Sequence, residues 1–394
     1  MPLDIPAIQK ILAAEHVDGW LLYDFHGSNP IAVSLAGLAG RHVTRRWLYF
    51  IPASGAPRKL VHAIESFMLD GLPGQKQLYA GRLELEQGLG DLLRGTKVVA
   101  MEYSPECAIP YLSRVDAGTI DLIRRLGVRV VSSGDLVGRF EAAWTSAAIA
   151  THRAASERLY RIKDRAFAYI GAKLSAGDPV TEYEVQQEMV EWFRQEGLIA
   201  DAAPIVAAQE HAGNPHYAPS AAGPARVIQP NEIVLLDLWG KLPQPGAVYA
   251  DITWTGFGGE APEPIARAFG VIVAGRDAAV ARVQAAVKAG QPIHGFEVDR
   301  ATRDVITAAG YGDNFIHRTG HSLGEEVHGN GVHMDDYETH DDRQLLPGTG
   351  FTIEPGIYTP AFGVRTEINV VVGPTSADVT GASQQTLVRI ATRR

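Results

Sequence analysis

Four carboxylates stand in apolar, strand-like stretches of the second half of the chain. Asp237 and Asp251 lie in VLLDLWGKLPQPGAVYADITWTGF, and Glu354 and Glu367 in FTIEPGIYTPAFGVRTEINVVV. A carboxylate inside an apolar strand is costly to bury unless it is paired or binds a metal. Each stretch reads as a hairpin with one acid on each arm, and the histidine-rich segment FIHRTGHSLGEEVHGNGVH lies between them. Hard oxygen ligands together with an imidazole describe a site for a divalent cation.

Period-two alternation puts Asp251, Thr253 and Thr255 on one strand face with Ile252 and Trp254 on the other, and groups Arg365 with Glu367 and Asn369. A half-buried strand with a solvated face gives the same alternation, so Asp251 alone does not decide the matter. The layout recurs, with separations of 14 (251 − 237) and 13 (367 − 354), which favours a metal and predicts an internal pseudo-twofold. His321 is the nitrogen ligand expected, since Gly320 and Gly324 let the backbone come close to whatever the imidazole binds. His317, His328 and His216, the last in GNPHYAP, are cast as hydrogen-bonding contacts to substrate. His211, His333 and His340 read as surface or satisfied core groups, and MDDYETHDDR as a solvated loop.

The elements that must position these residues fall into two domains, 1–142 and 143–394. The first alternates helices and strands: IPAIQKILAAEHV, GWLLYDF, RRWLYFIPA, KVVAMEY, DAGTIDLIRRLG and VRVVSS form an α/β layer domain without a phosphate-binding loop. The second opens with long helical periodicity, AAWTSAAIATHRAASERLYRIKDRAFAYIGAKL and TEYEVQQEMVEWFRQEG, before strands dominate around one further helix, PEPIARAFGVIVAGRDAAVARVQAAV. A formal net charge of -9 with no basic block argues against a nucleic-acid partner. Cys107 is the single cysteine, which excludes an internal disulfide and a CxxC motif. No leader pattern opens the chain and no uncharged run of about 18 apolar residues occurs, so a cytoplasmic protein without a membrane partner is expected.

With those residues in place, Asp237 in LLDLWG, Asp251 in YADITWT, His321 in HRTGHSLG, Glu354 in TIEPGIY and Glu367 in GVRTE resemble, in order, the five-ligand set of the M24-type pita-bread metallopeptidases. The resemblance covers the second domain, an α+β pita-bread catalytic domain, and the first resembles the creatinase-type N-terminal domain. Within the family it points to the branch of aminopeptidase P and prolidase, homodimers that cleave Xaa-Pro bonds. It implies two divalent ions bridged by Asp251 and Glu367, with Asp237 completing one site and His321 with Glu354 the other. Manganese fits the mostly carboxylate set, with cobalt or zinc as alternatives. The implied nucleophile is a metal-activated hydroxide acting on a peptide with proline second. Glu354 would relay its proton, His216 and His328 would hold the peptide and its developing charge, His317 and Tyr358 would line the pocket, and Arg365 would orient the carboxylates.

The sequence departs from the family in two places. The aspartates are spaced more widely than usual, so KLPQPGAVY contains a lengthened turn that should leave the ligands intact. Many prolidases carry, four residues after the equivalent of His328, an arginine that grips a dipeptide's carboxylate; here that place holds Val332, with Arg343 or a basic residue of the first domain as possible replacements. The aminopeptidase is therefore the expected activity, with a dipeptidase or a related amide or organophosphate hydrolase as the alternative. The residues admit two further readings. Gly320-His321-Ser322-Leu323-Gly324 matches the nucleophile elbow of a serine hydrolase, with Asp335 or Asp341 and His340 downstream, but the flanks lack the strand and helix an elbow requires. A non-catalytic peptide-binding module conflicts with an intact ligand set.

Overall fold

The computed structural model describes residues 3–223 and 226–393; Met1 and Pro2, with which the leader reading began, and residues 224, 225 and 394 lie outside the described residues. The chain divides after Ala142 into two compact units.

Unit 1 runs α1 (Ile5–Ala14), β1 (Gly19–Asp24), α2 (Pro30–Leu35), β2 (Trp47–Pro52), β3 (Arg58–His62), β4 (Gln75–Tyr79), α3 (Arg82–Leu92), β5 (Val98–Met101), α4 (Ala117–Arg125), β6 (Arg129–Ser132) and α5 (Gly134–Phe140). Its six strands form one sheet in the order β4-β3-β2-β1-β5-β6. β1 is buried throughout, as its apolar run GWLLYD requires: Trp20 and Leu22 enter one core and Leu21 and Tyr23 the other. β3 and β4 were not legible in the sequence. QKQLY is rich in charged and amide side chains because β4 is an edge strand with one buried residue, Tyr79, while RKLVH is interior but buries only Lys59, Leu60 and Val61, too short an apolar run to stand out.

Unit 2 opens with α6 (Ser146–Ala176) and α7 (Glu182–Glu196), then β7 (Ile205–Ala208), β8 (Ile233–Gly240) and β9 (Ala250–Gly258). It continues with α8 (Glu263–Lys288), α9 (Gly295–Ala308), β10 (Ser322–Leu323), β11 (Gly350–Ile353), β12 (Gly356–Tyr358), β13 (Gly363–Arg365), β14 (Ile368–Val372), β15 (Ala377–Thr380) and β16 (Val388–Ile390). α6 begins later than the apolar periodicity because Thr145 Oγ1 caps it, accepting from the Ala148 N–H at 3.0 Å, and it ends at Gly177, whose φ of 76° suits glycine. Apolar residues of α6 and α7 share one core with Leu236, Leu238 and Ile252 of the sheet β16-β9-β8-β7. Ala279, Val283 and Val298 of α8 and α9 pack with Phe351, Ile353, Ile368 and Val370 of the sheet β10-β11-β14-β15. The order of two helices and then strands thus occurs twice.

The first carboxylate stretch is a regular antiparallel hairpin in which Asp237 faces Thr253 and Trp239 faces Asp251. The second is not one hairpin but two nested ladders. β11 pairs β14 with Ile353 opposite Ile368, while β12 and β13 form a separate pair inserted between them. Pro355 has no N–H to give a ladder, and the break it marks leaves Glu354 just after β11 and Glu367 just before β14. Freed from its own ladder, the Glu367 N–H crosses to Thr253 O of the other sheet at 3.0 Å.

Candidate metal centre

Period-two geometry turns Asp237, Trp239, Asp251 and Thr253 to one face of the β8–β9 hairpin. The second sheet meets that face. Asn369 Oδ1 accepts the Asp251 N–H at 3.0 Å, and Thr255 Oγ1 donates to Arg365 O at 2.7 Å. Asp251, His321 and Glu367 come together at the seam, each buried, with one ligand atom apiece lying within 4.8 Å of the others. Glu354 adjoins them, its Oε1 3.4 Å from His321 Nε2, while Asp251 Oδ2 is 3.5 Å from the same nitrogen. Asp237 is reached through Thr253, whose hydroxyl lies 3.1 Å from Asp237 Oδ1 and 2.8 Å from Glu367 Oε2. The five expected ligands therefore share one seam.

Three features of this seam fit a cation. His321 Nδ1 faces Ser322 O at 3.1 Å, where it must donate, so Nε2 presents a lone pair toward two carboxylates. Asp251 Oδ1 and Glu367 Oε1 are buried without a hydrogen-bond partner, a costly state for carboxylate oxygens. Thr253 has a single proton for two carboxylates, and its oxygen already accepts from Arg365 Nε at 3.0 Å. Burial, reinforced by the neighbouring acids, drives Asp251 and Glu367 well above the usual carboxylate range; Asp237 is raised as well, by burial, against the pull of Arg365. Glu354 differs. Burial acts to raise it, but His321, His317, Arg365 and Arg318 together outweigh that and leave it below its ordinary value.

Arg365 closes the cluster from one side: it pairs with Asp237, donates to Thr253, and donates through Nη1 to Tyr358 Oη at 3.2 Å. His317 is fully engaged, with Nδ1 on Arg318 O at 2.7 Å and Nε2 on Tyr358 Oη at 2.8 Å. Burial pushes His317 down to about 4 and Tyr358 up to about 12. His328 sits edge-on to His321 at 4.3 Å between centroids; it is exposed, yet loss of hydration holds it down at about 4. His216 is not drawn into the cluster. It is exposed, and its side chain makes no hydrogen bond among the described residues.

Several expectations are corrected. Gly320 serves strand contact rather than ligand approach, because a Cβ there would lie 2.0 Å from Thr352 O; Gly324 has only ordinary contacts. The run MDDYETHDDR is solvated only in part: Tyr337, Glu338, His340 and Asp342 are exposed, but two of its acids are not. Asp335 and Asp341 are wholly buried, Asp335 accepting from the N–H groups of Tyr337, Glu338 and Thr339, and Asp341 from His333 N–H and Arg343. Arg343 is buried and spends four of its five N–H donors on Asp341, Asn330 O and Gly331 O, so it has no bidentate fork to offer a substrate carboxylate. Val332 is buried in the core. The rejection of the serine elbow stands: Ser322 is buried, its Oγ accepts from Gly331 N–H at 3.1 Å, and bends rather than a helix follow Leu323. His340 pairs with Asp336, on the surface as expected. His211 is satisfied by Glu182 at 2.9 Å.

Sequence reasoning missed Thr253 as the shared partner of two acids, and Thr352, whose hydroxyl donates to Glu354 Oε1 at 3.0 Å. The alternation that placed Thr253 beside Asp251 was the available signal. No helix among the described residues is long and apolar enough to cross a membrane.

Comparison with known proteins agrees with this geometry. Residues 152–374 match the model of metallopeptidase family M24. The chain is 30% identical over 326 residues to a probable dipeptidase PepE of Mycobacterium tuberculosis, covering 82% of this chain and 80% of that protein. It is 40% identical over 165 residues to an Xaa-Pro dipeptidase of Lactobacillus delbrueckii subsp. lactis, covering 41% of this chain and 40% of that one. The crystal structure of dipeptidase PepE from Mycobacterium ulcerans superposes with a TM-score of 0.71 at 25% identity, over 98% of this chain and 97% of that one. By sequence match, two-domain creatinase-like fold and a buried carboxylate–imidazole cluster, this chain belongs to metallopeptidase family M24.

Proposed function

We propose that this chain is a metal-dependent exopeptidase that removes the first residue from peptides with proline second, accepting substrates that continue beyond the proline. The observation that carries the reading is the convergence of Asp251, Glu367 and the bare Nε2 of His321, with carboxylate oxygens left unpartnered, at a seam where Arg365 is committed to other groups. In this reading Asp237, Asp251, His321, Glu354 and Glu367 would together hold two divalent ions. Manganese suits the set, and cobalt or zinc would substitute in vitro. Such ions, when bound, make water easier to deprotonate and polarise the scissile carbonyl.

The remaining chemistry belongs to the side chains. Glu354, kept ionised by its cationic surroundings and oriented by Thr352, accepts a proton from the attacking water and passes it to the leaving nitrogen. His328 is neutral near pH 7 and open to solvent, so it donates an N–H to charge developing on the carbonyl oxygen. Arg365 fixes Asp237 and, through Tyr358, the His317 ring. His216, on its exposed loop, contacts the peptide beyond the scissile bond. A homodimer belongs to the same reading.

Proline specificity is supported by the relative named as an Xaa-Pro dipeptidase. That name and PepE also favour a second reading, a dipeptidase. Acceptance of longer peptides is supported by the buried Val332 and the buried, committed Arg343, neither of which offers a bidentate grip on a free carboxylate next to the scissile bond. The test is turnover of Ala-Pro-Ala against Ala-Pro by manganese-loaded protein. The tripeptide should be cleaved at least as well. A tenfold or greater preference for Ala-Pro would establish the dipeptidase, and no hydrolysis of either would overturn the exopeptidase reading.

A further inference from the structure

His216 stands at the surface on a short turn, and a histidine so placed binds a peptide well only if its turn is already ordered, since a loose one must be immobilised by each substrate. The backbone closes the turn in part: Asn214 N–H donates to His211 O at 3.1 Å, Tyr217 N–H to Asn214 O at 3.0 Å, and His216 N–H to Asn214 Oδ1 at 3.1 Å. Its two feet are His211 and Tyr217, whose rings stack with centroids 4.2 Å apart. Both feet end on one carboxylate. His211 Nδ1 lies 2.9 Å from Glu182 Oε2, and the Tyr217 hydroxyl donates to the same oxygen.

Glu182 is wholly buried in the first turn of α7, where the helix dipole favours an anion. It also accepts from the Ala208 N–H at the end of β7 (2.6 Å) and from the Arg226 N–H (3.1 Å), and its own N–H donates to Arg226 O at 3.0 Å. Segments before, within and beyond the turn are thus tied to a single side chain. The turn also rests on the β12–β13 hairpin: a Cβ at Gly213 would lie 2.3 Å from Thr359 O, and one at Gly363 would lie 1.8 Å from Ala212 O. That hairpin carries Tyr358 and Arg365 to the seam. His216 therefore rides on a turn clamped between α7 and a wall of the site.

We propose that Glu182 is a positioning residue, which orders the turn 211–217 so that His216 meets the peptide without first being immobilised. What His216 touches rests on the exopeptidase reading; the clamp itself does not.

Glu182→Gln keeps size and burial but turns an amide N–H toward groups that are themselves donors, and its one oxygen cannot serve them all. Amide hydrogen exchange across 209–217 should then quicken by about tenfold or more. Binding of a reduced-bond, non-cleavable analogue of Ala-Pro-Ala to manganese-loaded protein should weaken roughly 10- to 100-fold, the range of a lost charge-assisted hydrogen bond, with manganese content unchanged. In a His216→Ala background the same substitution should change binding by less than about twofold, because a residue that acts through His216 has nothing left to position. Tyr217→Phe removes one donor and no charge, so it should give a smaller loss with the same dependence on His216, and it decides the matter if Glu182→Gln does not fold. Unchanged exchange across 209–217, equal weakening with and without His216, or a His216→Ala protein that binds as tightly as the wild type overturns the proposal. Failure of the wild type to hydrolyse Ala-Pro-Ala counts against the exopeptidase reading instead, since the exchange result judges Glu182 without a substrate.

Discussion

Thr253→Val is the most informative substitution, because it removes one hydroxyl while keeping shape and burial. In the structure that hydroxyl accepts from Arg365 Nε at 3.0 Å and lies 2.8 and 3.1 Å from Glu367 and Asp237. Its single proton serves one carboxylate at a time, so valine deletes one charge-assisted donation and leaves the Arg365 Nε–H unmatched. A hydrogen bond to a charged group contributes about 1.5–3 kcal/mol, which corresponds to roughly a 10- to 150-fold change in an equilibrium constant. Loss of an outer contact that orients metal ligands is expected to weaken affinity by a similar 10- to 100-fold. The two routes agree. Calorimetric titration of manganese into chelator-stripped protein should therefore show a dissociation constant raised by one to two orders of magnitude, with most turnover restored at saturating metal. An unchanged constant in a normally folded variant would refute the argument that Thr253 organises the two acids.

His328→Ala should lower turnover by roughly 10² to 10³, the cost of one donor to a developing oxyanion, with metal content intact; metal loss would make it a ligand instead. Ser322→Ala should retain most activity, and a fluorophosphonate should not label the protein; stoichiometric labelling at Ser322 would restore the serine mechanism. Metal removal should expose a pH dependence of stability. Asp251 and Glu367 have folded pKa values raised above their ordinary 3.8 and 4.5, so the folded state binds protons more tightly than the unfolded one. Their contribution is therefore most favourable below those ordinary values and is lost as pH rises through the folded ones. Melting of the metal-free protein should fall with increasing pH above about 5, and the stabilisation on adding manganese should grow over the same range; parallel curves with and without metal would contradict this.

How far the sequence could be read depended on whether a signal was local. Strands buried on both faces, such as β1, announce themselves by continuous apolar runs, whereas the edge strand β4 looks like loop because most of its side chains meet water. The four acids among the five candidate ligands were legible because a carboxylate inside an apolar run is anomalous, whereas His321 was picked from flanking glycines, of which Gly320 serves strand contact instead. Thr253 and Thr352 were not, since a threonine in a strand is unremarkable and its partners lie on other segments of the chain. The same reasoning misjudged MDDYETHDDR. Acidity there signalled solvent, but Asp335 and Asp341 are sunk into the loop to satisfy backbone N–H groups that no ladder serves. Arg343 looked available for substrate only because sequence cannot display the carbonyls it already holds.

The seam has a consequence for how the second unit holds together. Asp237 and Asp251 belong to the sheet of α6 and α7, while His321, Glu354 and Glu367 flank strands β10, β11 and β14 of the sheet of α8 and α9, so neither half alone owns the whole set of candidate ligands. A cation shared between them would close long chain loops, much as a disulfide does, in a unit that contains no cysteine. Without it, like-charged walls face each other across the junction, and that junction is where the unit should open first. Metal supply would then govern not only turnover but the lifetime of the folded chain against proteolysis.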